Sequence, residues 1–233
     1  MRYSRQIPVF GGEGQDRIRS STVGIAGLGG LGVGAVTALA SAGVGHLVLA
    51  DGDVPSESGL NRQFIYSPGE TRTKAEAAAE WAAGLNPDCE VSFHPEMVDD
   101  RNAEGIFAGC DVLVDCLDNL ASRFCMNRLS LASGMPLVHG GAEGLFGQVT
   151  VVVPGRTPCL ECILRSGGAD RMIPSVGSAV SVISGIQATE VLKLVSGRGD
   201  TLAGRLLTAD LGSNDYRVTS VRRDPLCPAC RLL

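Results

Sequence analysis

The most constraining stretch of this chain is residues 22–42, TVGIAGLGGLGVGAVTALASA. An apolar run suited to a buried strand passes directly into Gly27-Leu28-Gly29-Gly30-Leu31-Gly32, and from there into an alanine-rich segment suited to a helix, residues 30–42. A strand that turns into a helix across G-x-G-x-x-G has few conformations open to it. Gly27 permits the tight bend, Gly29 lets backbone approach a phosphate, and Gly32 allows the helix to pack closely on the strand. Backbone amides at the N-terminus of that helix then face an anion.

The alternation begun there continues along the first part of the chain. HLVLAD, EVSFHP, CDVLVDC and MPLVHGG read as strands, and RTKAEAAAEWAAGL and residues 119–133 as helices. Strands that alternate with helices predict an α/β fold, a right-handed, doubly wound, Rossmann-like and mostly parallel sheet. After Gly141 the pattern changes, and GLFGQVTVVVPG, RLLTADLG and DYRVTSVRR read as strands joined by turns, continuing the sheet in antiparallel fashion. One long helix lies between them at about 176–196; it is apolar nearly all round, which predicts burial in the core or in a subunit interface. Segment 163–176, ILRSGGADRMIPSV, reads as a mobile loop crossing over the site. The residues before the first strand read as a segment that frays unless something ties it down. With 233 residues the chain can form one domain, its nucleotide-binding part about 1–141 and its C-terminal strand part about 142–233.

A formal net charge of −5 argues against a basic nucleic-acid surface. The start MRYSRQ lacks the apolar stretch of a signal peptide, and no uninterrupted apolar run reaches spanning length, so a cytoplasmic protein without membrane partners is expected. In that compartment eight cysteines point to metal binding or catalysis before disulfides.

Asp51 ends the second strand, nineteen positions after Gly32 (51 − 32), where a ribose-binding carboxylate belongs. NAD and ATP both present an adenosine ribose, and the charges nearby separate them. Hydride transfer needs a nicotinamide pocket, and no histidine-centred constellation stands out among His46, His94 and His139. Instead the chain carries Asn61, Arg62 and Gln63, then Lys74, then Asp115, Asp118 and Asn119 at the close of the fourth strand. Taken singly, Arg62 and Lys74 read as solvated surface charges and Asp118 as the N-cap of the helix before NLASRF. As an ordered set around one glycine-rich turn they favour ATP with magnesium: the cations stabilise charge on phosphate oxygens, and a strand-end aspartate suits a hard cation.

Cys159-Leu-Glu-Cys162 and Cys227-Pro-Ala-Cys230 supply two C-x-x-C pairs. Two such knuckles close a structural zinc site of four thiolates, provided that the fold brings together pairs separated by 64 residues (227 − 162 − 1). The competing reading is four cysteines that pack or oxidise separately. Zinc so held ties the crossover loop and C-terminal tail to the body and is not catalytic, because four thiolates leave no open position. Cys89, Cys110, Cys116 and Cys125 are expected to pack in the core.

RYSRQ at 2–6, GLGGLG at 27–32, Asp51, NRQF at 61–64, Lys74, DCLDN at 115–119 and the two C-x-x-C pairs together resemble the MoeB/ThiF/HesA family, relatives of ubiquitin-activating enzymes. The resemblance runs through essentially the whole chain. It implies ATP-dependent adenylation of a carboxylate, usually the C-terminal glycine of a ubiquitin-like sulfur carrier protein, leaving an acyl-adenylate ready for sulfur transfer in a molybdopterin or thiamine type pathway. By matching positions, Asp51 holds the ribose hydroxyls, Arg62 and Lys74 hold phosphates, and Asp118 coordinates Mg2+ with Asn119 beside it. Arg5 reaches across a homodimer interface into the partner's site.

Two departures from the family stand out. Residues 163–226 contain no cysteine, which disfavours covalent transfer from that loop and favours release of the adenylate to a separate sulfur donor. No rhodanese-like extension follows Leu233, which adds to the expectation of a separate donor. Gly59 stands where the family's S-N-L-x-R-Q has an asparagine, with Asn61 or a water as the available substitute. Three alternatives follow: the same chemistry on another carboxylate (a peptide, nucleoside or cofactor precursor), a nucleotide-binding partner protein with weakened catalysis, and, last, an NAD-dependent dehydrogenase.

Overall fold

A computed structural model describes residues 2–164 and 173–231 of the chain. Its eight strands are β1 (Thr22–Ala26), β2 (His46–Ala50), β3 (Glu90–His94), β4 (Val112–Asp115), β5 (Leu137–Glu143), β6 (Phe146–Val152), β7 (Arg205–Asp210) and β8 (Asp215–Ser220). They form one sheet in the order β3-β2-β1-β4-β5-β6-β7-β8. β3, β2, β1, β4 and β5 run parallel, and β6, β7 and β8 are antiparallel to their neighbours, as the change of pattern after Gly141 predicts.

Apart from the first residues of β1 and β2, the central strands β1, β2 and β4 are buried throughout because both faces of the sheet are covered. Val23 and Ile25 of β1 enter one core with Leu47, Leu49, Val112 and Val114, covered by helices α1 (Ile7–Ser20), α2 (Gly30–Ala42), α3 (Lys74–Leu85) and α7 (Gly177–Ser196). Ala26, Val48, Ala50 and Leu113 enter a second core beneath α4 (Ala103–Ile106), α5 (Leu120–Ser133) and α6 (Leu160–Ile163). α7 is long and apolar enough to cross a membrane by length and composition, yet it packs on α1, α2, β5 and β6 with Ile183, Ala188 and Val191 buried. Cys89, Cys110, Cys116 and Cys125 are buried, as expected of packing cysteines.

The N-terminal segment, expected to fray unless tied down, is tied down, and as a helix that the sequence reading did not anticipate. It forms helix α1, kinked at Gly11, whose φ of 77° is left-handed. Gly11, Gly12 and Gly14 conceal this helix in the sequence, since glycine is a poor helix former. Tertiary contacts hold it: Gln6 Nε2 donates to Ala42 O (2.8 Å) and Gln15 Oε1 (2.7 Å), and Tyr3 OH accepts from Asn86 Nδ2 (2.8 Å). Residues 165–172, most of the loop expected over the site, lie outside the described residues.

β1 is flanked by β2 on one side and β4 on the other, so the chain changes direction across the sheet between β1 and β4. The carboxyl ends of strands at such a switch point leave a crevice between the loops that follow them.

Candidate nucleotide site and cysteine cluster

That crevice holds a cavity of about 420 Å³ lined by residues that follow β1, β2 and β4. Gly27 leaves β1 with φ +85°, and a Cβ there would lie 2.8 Å from the Cys116 carbonyl oxygen. A side chain at Gly32 would run into the carbonyl of Gly27, so this turn keeps α2 against β1 only with glycine. Gly29 is the N-cap of α2 and offers no side-chain cap, which leaves the first-turn amides directed into the cavity beside Gly30 and Leu31.

At the end of β2, Asp51 Oδ2 accepts from Leu28 N (2.7 Å) and Oδ1 from Asp53 N (2.8 Å). Burial raises its carboxyl above the usual aspartate range, opposed by the Lys74 ammonium and the two amides. Lys74, the first residue of α3, sits 2.7 Å from Asp53 Oδ2 and 4.0 Å from Asp51 Oδ1. Thr73 caps that helix, and Tyr66 OH donates to Leu28 O (2.8 Å), fixing the glycine-rich turn from behind. Burial also raises the Tyr66 hydroxyl, keeping it a neutral donor.

Arg62 lines the cavity with Nη1 held by Ser58 O (2.9 Å) and Asn61 Oδ1 (2.7 Å). Asn61 is not among the lining residues; it buttresses Arg62 and donates to Ser175 O (3.3 Å). Gln63 fills the space beside Gly59, the position where the resemblance has an asparagine.

After β4, Asn119 and not Asp118 caps the next helix, its side chain accepting from Ser122 N (2.9 Å). The cap reading of Asp118 is therefore corrected: its exposed carboxylate lines the cavity and makes no hydrogen bond or ion pair among the described residues. Asn119 lines the cavity too. Behind this turn a fully buried pair anchors it. Asp115 Oδ2 meets His139 Nδ1 at 2.7 Å, and Asp115 Oδ1 accepts from Leu117 N at 3.0 Å.

Gly27, Gly29, Gly30, Asp51, Arg62, Lys74, Asp118 and Asn119 thus surround one cavity. Gly32 packs behind it, and Arg5 is exposed before α1, outside the lining. Gln63, singled out in the sequence with Asn61 and Arg62, lines the cavity, whereas sequence reasoning missed Asp53 and Arg123. Arg123 reaches the cavity from α5, with Nε and Nη2 on Leu117 O at 3.0 and 2.6 Å. Its spacing four residues after Asn119, one helical turn, was the available signal; for Asp53 it was the second acid of Asp51-Gly52-Asp53.

The four cysteines converge at the other end of the second core. Cys159 Sγ lies 3.6 Å from Cys227 Sγ and 3.9 Å from Cys162 Sγ, and Cys162 Sγ lies 3.5 Å from Cys230 Sγ. All four sulfurs fall within 4.8 Å of one another. A tetrahedral zinc with Zn–S of about 2.3 Å sets its sulfurs about 3.8 Å apart, so the cluster is compatible with zinc. Burial raises the Cys159 and Cys162 thiols, a bias that a divalent cation reverses. Buried Asn127 of α5 accepts from Leu160 N (2.9 Å), locking the first knuckle to the body.

Comparison with known proteins matches residues 3–229 to the model of the ThiF family. A curated relative in Haloferax volcanii, "SAMP-activating enzyme E1", is 39% identical over 98% of this chain and 88% of its own length. "Adenylyltransferase and sulfurtransferase MOCS3" of Drosophila sechellia is 38% identical over 98% of this chain, which spans only 53% of that relative. Among solved structures, E. coli MccB with ATP superposes with a TM-score of 0.88 at 20% identity, covering 99% of this chain and 75% of MccB, a likeness of fold.

Proposed function

The chain belongs to the ThiF family, and from that premise we propose that it is a cytoplasmic, ATP-dependent adenylyltransferase acting on the C-terminal glycine carboxylate of a ubiquitin-like sulfur carrier protein. One adenylation domain, working as a homodimer, carries the reaction, and a separate sulfur donor acts on its product. The observation that carries this reading is the gathering of a glycine-rich turn, Asp51, Arg62, Lys74 and Asp118 around one cavity at the sheet's switch point. Two curated relatives are named for the same chemistry, one as an adenylyltransferase and one as an activating enzyme.

Bound ATP with magnesium supplies an α-phosphorus for the carboxylate to attack, with pyrophosphate as the leaving group. The chain itself orients and neutralises. The α2 amides take phosphate oxygens at the helix N-terminus. Asp51, its outer lone pairs beyond the Leu28 and Asp53 amides, accepts from the ribose hydroxyls. Arg62 and Lys74 face the phosphates, Lys74 shifting from Asp53 toward the more strongly charged group. Asp118 offers a hard oxygen to magnesium, with Asn119 beside it. Arg5 of the second subunit completes the charge around the triphosphate. Zinc held by Cys159, Cys162, Cys227 and Cys230 is structural.

ATP–pyrophosphate exchange with candidate ubiquitin-like proteins tests the reading. Exchange that depends on the carrier's free C-terminal carboxylate is the expected result. ATP with Mg2+ should also raise the melting temperature, since saturation at 100 times Kd adds about 2.7 kcal/mol. A melting shift with NAD and none with ATP and Mg2+ would overturn it.

A further inference from the structure

Arg223 lies between β8 and the second cysteine knuckle, and its Nη2 is buried without a hydrogen-bond partner among the described residues. No carboxylate among them pairs with it: the adjacent Asp224 turns Oδ1 to Leu226 N (2.9 Å) and its carbonyl to Cys227 N (3.0 Å). The Arg223 side chain instead bonds the Cys230 thiol. The other sulfurs of the cluster meet donors as well. The Asp224 amide bonds the Cys162 thiol, and the Cys162 amide and the Asn127 side chain bond the Cys159 thiol. Arg222 and Arg231, before and after this turn, are exposed, so Arg223 is the half-buried cation of the segment.

Four thiols carry no charge, and a guanidinium end held out of water beside them is costly unless something near it is negative. Four thiolates around one divalent cation leave two negative charges in excess, and here Cys159, Cys227 and Cys230 are buried, so water does little to screen them. Sulfur also accepts N–H bonds more strongly as thiolate than as thiol, and the donors around this cluster suit the charged form. We propose that Arg223 is a positioning residue of the cysteine cluster, whose guanidinium offsets part of the excess negative charge of the metal-loaded thiolates and fixes Cys230 as a ligand. The counter-charge that Arg223 lacks within the described chain is then the one that metal binding creates. A charge acts through space, so no ligand has to reach the buried Nη2. This rests on the zinc reading given above.

The test compares wild type, Arg223→Met and Arg223→Lys under reducing conditions, by zinc competition against a chromophoric chelator and by melting temperature with and without zinc. Arg223→Met keeps an unbranched stem and removes the charge. Its zinc affinity is expected to fall about 10- to 100-fold, the usual loss when an outer partner of a metal ligand goes. Arg223→Lys keeps the charge without the planar fork and is expected to hold zinc more tightly than Arg223→Met. The melting temperatures should depend on the metal: Arg223→Met melts lower than wild type when loaded with zinc and no lower when metal-free, since an uncompensated charge has then been removed. Arg223→Met that binds zinc as wild type does overturns the proposal. So do equal losses of affinity in the two variants, which make the role one of shape, and an equal fall in melting temperature with and without metal. If no metal-free chain folds, the affinities decide alone. Wild type that retains no zinc overturns the metal reading along with the proposal, whereas wild type that holds zinc while Arg223→Met matches it overturns only the role of Arg223.

Discussion

Replacing Asn127 by alanine tests whether the cysteine cluster is a metal site anchored to the body of the fold. Asn127 is fully buried on α5, and its Oδ1 accepts from Leu160 N at 2.9 Å, the amide next to Cys159. Its side chain also bonds the Cys159 thiol, while Nδ2 reaches Glu161 Oε1 only at 3.5 Å. Alanine leaves a buried amide without an acceptor, which costs about 1–3 kcal/mol. For a chain of this length each kcal/mol moves the melting temperature by about 2–4 °C, so a fall of roughly 2–12 °C is expected. If the knuckle exists to hold zinc, the same energy appears in metal affinity. At about 1.4 kcal/mol per tenfold, 1–3 kcal/mol is roughly 5- to 150-fold, overlapping the 10–100-fold typical when an outer partner of a metal ligand is lost. Zinc content near one per chain under reducing conditions, followed by competition against a chromophoric chelator, measures it. Asn127→Ala that melts lower yet binds zinc as wild type does would refute the coupling, leaving Asn127 as core packing alone. Protein purified without metal under reducing conditions would refute the site.

Asp118→Ala should melt with the wild type, since the carboxylate has no partner among the described residues, while pyrophosphate exchange falls by about 10²–10³. Arg5 acts in trans if it acts at all: Gln6 is bonded to Ala42 at the far end of α2, and a 13-residue helix places that end about 20 Å from the cavity. Co-expressed Arg5→Ala and Asp118→Ala chains should therefore recover up to about half the activity per mixed dimer, and robust exchange by Arg5→Ala alone would remove the role. Burial raises the folded-state pKa of Asp51, so the stability tied to its protonated form is present below the unfolded pKa and lost as pH rises through the folded one. Denaturant unfolding should show wild type gaining on Asp51→Asn as pH falls from 7 toward 4, and a pH-independent difference would contradict this.

The features legible in the residues alone are those made by neighbours along the chain. β1, its glycine turn and α2 lie within 21 consecutive residues, and the strand run, the bend and the helix former specify one another through neighbouring contacts. The strands after Gly141 were legible because period-two patterns and turns are also short-range. Each C-x-x-C pair was legible for the same reason, since three residues of spacing place two sulfurs together. Tertiary structure alone decided what depended on residues distant along the chain. It made a helix of the glycine-rich N-terminus by tying Tyr3 to Asn86 and Gln6 to Ala42, contacts that offset poor helix propensity. It gave the cap of α5 to Asn119 and turned Asp118 to the cavity, a one-residue choice that composition does not make. It joined the cysteine pairs across 64 residues, bringing Cys227 and Cys230 to the knuckle that α5 anchors. It also brought Asp53 and Arg123 to the cavity wall beside the residues that the motifs had marked. A side chain's partner is set by which loops meet at the sheet's carboxyl edge, and that meeting is a property of the folded sheet.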